Sequence, residues 1–176
     1  MPIDTTTSTA DDFDFIIGSW RVMHRRLKER LAGSDQWIEF EGSSTTNKIL
    51  GGNGNLEDNY LSLPDGPYRA VALRSFNTMT RQWSIWWLDG RNPGALDTPV
   101  VGSFENGVGV FLADDVLDGK PIKVRFKWSV PDNGNPRWEQ AFSDDAGKTW
   151  ETNWTMDFSL SAMIVRKSEC AENGSP

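Results

Sequence analysis

The chain is poor in the residues that most often carry chemistry. It has one histidine, His24, and one cysteine, Cys170, in 176 residues. A zinc site built on several His or Cys ligands is therefore excluded, while an all-oxygen Mg²⁺ or Ca²⁺ site stays open. No intrachain disulfide can form, which fits a reducing compartment. There is no G-x-S-x-G elbow, no P-loop, and no G-x-G-x-x-G before a helix. Gly51-Gly52-Asn53-Gly54 is followed by strand-like residues and reads as a turn. Basic residues are outnumbered 18 to 25, a formal charge of -7, which argues against nucleic acid as the partner. No apolar run approaches the roughly 18 residues of a membrane span. The opening Met1-Pro2-Ile3-Asp4-Thr5-Thr6-Thr7 lacks the basic and apolar regions of a signal peptide. The expectation is a cytoplasmic protein with no metal and no cofactor.

What the chain has in excess is tryptophan, nine residues in all. They fall mostly in short runs that alternate apolar with polar. Helical periodicity is nearly absent. One short turn is expected over Asp11-Asp12-Phe13-Asp14-Phe15-Ile16-Ile17, capped by Thr9 or Asp11. About nine or ten strand-like runs follow, roughly at 19–31, 37–49, 55–63, 68–77, 82–89, 100–104, 108–114, 121–129, 137–143 and 149–158. Turn signals separate them, among them Leu63-Pro64-Asp65-Gly66-Pro67 and Asp118-Gly119-Lys120-Pro121. Short ordered turns make sequential strands antiparallel neighbours. The predicted fold is all-β, an up-and-down antiparallel barrel of about 8–10 strands with a short N-terminal helical turn. Residues 1–10 read as a disordered lead-in, 11–160 as the single barrel domain and 161–176 as a frayed tail.

Side chains on a strand alternate between faces. Trp150, Thr152, Trp154, Met156 and Phe158 thus share a face, expected to point inward. Trp138, Gln140 and Phe142 form another inward set, and a buried Gln140 needs a hydrogen-bond partner. On the first strand Trp20, Val22, His24 and Arg26 share a face. Either His24 and Arg26 enter a cavity, or a bulge turns them outward. Arg74 falls on one face with Ala70 and Ala72, where small neighbours would leave room for a ligand; the other face, with Val71 and Leu73, is an equal candidate for the inside and would leave Arg74 in solvent. An inward Arg74 with Arg26 would favour an anionic group. Asn59 and Tyr60 lie on the preceding run. Trp83, Ile85 and Trp87 take one face of the densest aromatic run, and Trp86 and Leu88 the other. That second face needs a cover, whether the 92–98 loop, the N-terminal segment or a second subunit. Asp89 and Arg91 sit at the strand end, as a rim salt bridge or a ligand clamp.

Ser143-Asp144-Asp145-Ala146-Gly147-Lys148-Thr149-Trp150 fits S-x-D-x-G-x-T-W and resembles the Asp-box hairpin of sialidases. The expected role is structural: Asp145 accepts backbone N–H bonds across the turn and Trp150 seats the hairpin on the core. Phe13-Asp14-Phe15-Ile16-Ile17-Gly18-Ser19-Trp20 resembles the start of lipocalin-like (calycin) barrels, where a G-x-W packs its Trp on the barrel floor. Trp86-Trp87-Leu88-Asp89-Gly90-Arg91-Asn92-Pro93-Gly94, Val101-Gly102-Ser103-Phe104 and Trp138-Glu139-Gln140-Ala141-Phe142-Ser143 are similar to a bacterial family of lipocalin-like proteins of unknown function. The chain departs from secreted lipocalins in lacking disulfides. It also lacks the G-x-W-x-G-x-G of haem-binding nitrobindin-like barrels, since Arg21-Val22-Met23-His24 follows Trp20.

Three functions fit these residues. The first is a barrel binding a small aromatic or anionic molecule among Asn59, Arg74, Trp87, Asp89, Arg91, Trp138, Gln140, Thr152 and Trp154. The second is a cofactor-independent isomerase, cyclase, lyase or hydrolase in the same cavity. It would use His24 as acid/base, Arg26 to hold developing negative charge and Tyr60 as a hydrogen-bond donor. The third is a homodimeric interaction module formed through the Trp86 and Leu88 face.

Overall fold

Most of the alternating runs have an apolar face to bury, and the ten strands bury their inner faces by closing on one another. The computed structural model describes residues 7–161. Its strands are β1 (Gly18–Leu27), β2 (Trp37–Ile49), β3 (Gly54–Leu61), β4 (Tyr68–Asn77), β5 (Gln82–Asp89), β6 (Val100–Glu105), β7 (Val108–Leu117), β8 (Lys120–Ser129), β9 (Arg137–Ser143) and β10 (Glu151–Leu160). Each pairs antiparallel with its neighbours in sequence, and β1 pairs with β10, so the sheet closes into a barrel. This is the expected up-and-down architecture, with ten strands. β1 stops at Leu27, short of the expected 31, where the Lys28 N–H turns to the Gln36 carbonyl. No helix among the described residues is long and apolar enough to cross a membrane.

Turn chemistry sets the register. Asp118 and Gly119 between β7 and β8 have φ of +50° and +79°. A two-residue type I′ hairpin requires that left-handed pair. Between β9 and β10 the Asp145 carboxylate accepts the backbone N–H groups of Lys148 and Thr149 at 3.0 and 2.9 Å and the Ser143 hydroxyl at 2.8 Å. These bonds to the charged form hold its pKa far below the usual carboxylate range. Trp150 does not reach the core. It is half-buried, with the Arg125 guanidinium 4.5 Å over its ring.

The N-terminal segment closes one end. A 3-10 turn at Asp14–Ile16 drives Phe13 and Ile16 into the barrel, at 1% and 0% exposure. Burying Phe13 contributes about 2 kcal/mol. Its ring meets Trp83 and Phe104 edge-on, both at 4.9 Å. Trp20 Nε1 donates to the Ile16 carbonyl at 2.8 Å. No side chain caps the 3-10 turn itself, although the Thr9 hydroxyl accepts the Asp11 N–H at 3.3 Å. The expected lead-in ends earlier than residue 10. Ser8 is buried, its carbonyl accepting from Arg81 and its hydroxyl from the Phe104 N–H. Residues 1–6, and the expected tail from 162 onward, lie outside the described residues.

One irregularity changes which residues face inward. The β9–β10 register slips between Thr152 and Trp154, so Asn153 is an extra residue in β10. Such a bulge inverts the alternation on one side of it. Trp154, Met156 and Phe158 are buried as expected. Thr152, however, pairs with Ala141 rather than standing opposite an inward residue of β9, and is only half-buried. Glu151 takes the position opposite Phe142, where its carboxylate accepts the Leu31 N–H at 2.8 Å.

Candidate functional site

The barrel interior has two unlike walls. β2, β3 and β4 contribute buried polar groups: Ser44, Thr46, Asn55, Glu57, Asn59 and Arg74, none more than 3% exposed. β5, β8, β9 and β10 contribute Trp87, Phe126, Trp138 and Trp154. These rings pack edge-to-face. Trp138 lies 5.5 Å from Trp154 and 4.9 Å from Phe126, and Trp87 lies 6.1 Å from Trp154. Each contact adds about 0.5–1.5 kcal/mol beyond area burial and fixes ring orientation.

At the end opposite Phe13, a cavity of about 400 Å³ opens between these walls, floored by Trp87, Trp138 and Trp154. Its mouth carries Arg26, Arg30, Tyr68, Asp89, Arg91, Asp97 and Asp115. Arg91 and Asp89 form a two-pronged pair at 3.0 and 2.6 Å, with Arg91 lying 3.7 Å over the Tyr68 ring. The pair lowers the Asp89 pKa and raises that of Arg91. The Asp89–Arg91 pair thus neutralises itself at the rim. Arg26 and Arg30 do not. Arg26 stands 4.8 Å over Trp154 and Arg30 stands 5.6 Å over Phe142. Neither has a carboxylate within 4.0 Å among the described residues. Burial lowers both their pKa values and raises that of Tyr68. Asp97 is also raised, first by burial and then by Asp115 and Asp89.

The expected site residues divide among four environments. Arg26, Trp87, Asp89, Arg91, Trp138, Gln140 and Trp154 all line the cavity. Gln140 has its partner, donating to Asn153 Oδ1 at 2.8 Å. Asn59 and Arg74 point inward but lie outside that cavity wall. Arg74 is matched by Glu57, with which it forms a buried ion pair, and donates to Asn55 at 2.8 Å. Its charge is therefore not free for an anion in the cavity. Tyr60 is 37% exposed, on the outer face beneath Arg69, because Asn59 takes the inward position of β3. Thr152 is carried off the inner face by the bulge.

His24 points inward on β1, as the cavity reading of that strand expects, but it is not part of the cavity wall. Its ring stacks on Phe40 at 4.6 Å and 6°. Its Nδ1 accepts the Trp154 Nε1–H at 3.3 Å, which places the ring proton on Nε2. A Cβ built on Gly42 would lie 2.7 Å from that Nε2, so the backbone closes the other side. Burial, then the nearby Arg26 charge, push the pKa down to about 3. A base that weak and that enclosed cannot exchange protons with a ligand near neutrality. The acid/base role assigned to His24 is not supported, and Tyr60 lies outside the barrel.

Composition and spacing missed Arg30, Tyr68, Asp97, Glu57 and Asn153. Glu57 had a signal, since Asn55, Glu57 and Asn59 alternate with Leu56 and Tyr60 and so put the polar set on one face. The outer face of β5 is covered in part. Its sheet pairing with β6 ends at Ile85, and beyond it the Asp97 N–H bonds the Trp87 carbonyl at 2.9 Å. Trp86 and Leu88 are half-buried. The fold and site define a closed ten-stranded antiparallel barrel with an aromatic, arginine-rimmed cavity. No protein-family model matches the chain, and no curated protein matches it.

Proposed function

We propose that the barrel binds a small aromatic carboxylate in this cavity, as a carrier or receptor. The observation that carries the reading is the pair Arg26 and Arg30, guanidiniums with no carboxylate within 4.0 Å among the described residues, set over a floor of Trp87, Trp138 and Trp154. Cations held partly out of water without a direct ion pair among the described residues favour an anion, and Arg matches a carboxylate with two parallel hydrogen bonds. Edge-to-face tryptophans favour a flat apolar body. The reading includes membership of the lipocalin-like (calycin) class. Trp20 at the start of β1, bonded to Ile16 at the closed end, supports that placement. Ten strands rather than eight is a departure from it. A water-facing barrel is supported by outer cross-strand ion pairs such as Arg21–Glu41 and Arg137–Asp157.

Titration with 2-naphthoate, followed by calorimetry and tryptophan emission, tests the reading. Saturable binding is expected, weakened at least about tenfold by Arg26→Gln with Arg30→Gln. Absence of heat and of any emission change across a series of aryl carboxylates would end it. A dimer through the Trp86 and Leu88 face is a separate reading, which a monomeric mass by light scattering removes.

A further inference from the structure

Beneath the cavity lies a second, smaller void of about 20 Å³. Ile85, Trp87, Phe126, Trp138 and Met156 line both spaces. The void adds Glu57, Arg74 and Trp128 from the direction of the closed end. It is large enough for one water or one hydroxyl. Met156, unbranched and with several rotatable bonds, is the most adaptable of the shared walls.

The polar groups at this void are not fully used. The Arg74 guanidinium lies between Phe13 and Trp128, 5.0 Å from each ring centre. One terminal nitrogen bonds Asn55 and the other Glu57. Its Nε–H has no partner, although Arg74 is only 2% exposed. A buried donor left unpaired is costly, so an acceptor there is stabilising. Glu57 supplies the complementary function, since a carboxylate can accept several hydrogen bonds. The ion pair thus offers a donor and an acceptor together. A hydroxyl satisfies both, accepting from Nε–H and donating to the carboxylate. A second carboxylate would be repelled by Glu57, and an ammonium by Arg74.

We propose that the ligand is a hydroxylated aromatic acid bound lengthwise, its carboxylate at Arg26 and Arg30 and its hydroxyl in the void against Glu57 and Arg74. This rests on the aryl-carboxylate reading of the cavity. It adds a second polar anchor at the opposite end of the ligand, and therefore a length and a substitution pattern.

The test is calorimetric titration of the full chain at pH 7 with 2-naphthoate, 6-hydroxy-2-naphthoate and 6-methoxy-2-naphthoate. Phenolic hydroxyls are neutral at that pH. The hydroxy acid is expected to bind at least about tenfold tighter than the parent, with the methoxy acid no tighter. In Glu57→Gln with Arg74→Met, which removes both charges together, the hydroxyl advantage should vanish while 2-naphthoate binds as before. Equal binding of the hydroxy and parent acids would overturn the proposal and leave the void to a water, with the carboxylate reading intact. So would a hydroxyl advantage that survives in the folded double variant. Failure of all three acids to bind would overturn the carboxylate reading, and this proposal with it. Should the double variant not fold, the three acids on the wild-type protein decide.

Discussion

Lowering the pH should charge His24 only by unfolding the barrel around it. The ring is 1% exposed, stacked on Phe40 and bonded to Trp154. Its pKa falls from 6.5 to about 3 on folding. Between those values the unfolded chain holds the proton and the folded chain does not. The stabilisation from a neutral His24 is therefore complete above about pH 6.5 and is lost as the pH falls. Each pH unit in that window costs about 1.36 kcal/mol, so acidification to pH 5 removes about 2 kcal/mol, and to pH 4 about 3 kcal/mol. Urea unfolding at pH 7 and pH 5 measures this directly. Wild type should lose about 2 kcal/mol more over that interval than His24→Gln, whose side chain does not titrate, while carboxylate contributions cancel in the comparison. Because the chain has one histidine, its imidazole Cε1–H resonance is unambiguous. That resonance should stay still from pH 7.5 to 4.5 in the folded protein and titrate near 6.5 in urea. A folded-state midpoint near 6.5 would refute the burial argument and return His24 to consideration as an acid/base.

Other perturbations probe other parts of the fold. Arg74→Met strands the buried Glu57 carboxylate and should cost about 3–5 kcal/mol, whereas adding Glu57→Gln should recover most of it; a double-mutant cycle by urea unfolding reads the coupling. Gly102→Ala places a Cβ 1.9 Å from the Val110 carbonyl oxygen, so β6 and β7 cannot keep their pairing, and loss of folded protein by circular dichroism is expected. Asp145→Ala removes the acceptor for the Lys148 and Thr149 amides, and should speed their hydrogen exchange without moving exchange in β4.

The barrel was legible because alternation and turn residues are local signals, and nine or ten runs separated by them leave few alternatives. Inward faces were legible in β9, whereas in β1 and β4 alternation showed only which residues share a face and left open whether His24, Arg26 and Arg74 turn inward. The inward face was not legible in β10, because nothing in Thr152-Asn153-Trp154 announces an extra residue, and the bulge moved Thr152 out and Glu151 in. Tyr60 misled for a different reason. As a hydrogen-bond donor it needed the inner face, yet β3 turns Asn55, Glu57 and Asn59 inward to meet Arg74 and leaves Tyr60 outside. That choice is set by a partner on another strand. The mouth was only half legible, since Arg30 and Asp97 lie in connecting segments, where side-chain direction depends on tertiary contacts. For His24 alternation left the inner face and the surface both open, and its chemistry depended on Phe40, Gly42 and Trp154, all remote in sequence.

The seam between β1 and β10 has a consequence for how the chain is made. Residues 20–26 find their second set of backbone partners only in 154–160. Until the ribosome has released that far stretch, the growing sheet carries two open edges, each a row of unsatisfied amides and carbonyls ready to recruit another chain. Joining the first strand to the last is also the contact of greatest sequence separation, which favours slow completion. A chain cut short before β10 would keep nine strands' worth of pairing propensity with nowhere to end it. Self-association into aggregates, more than simple loss of the cavity, is then the expected fate of such truncations.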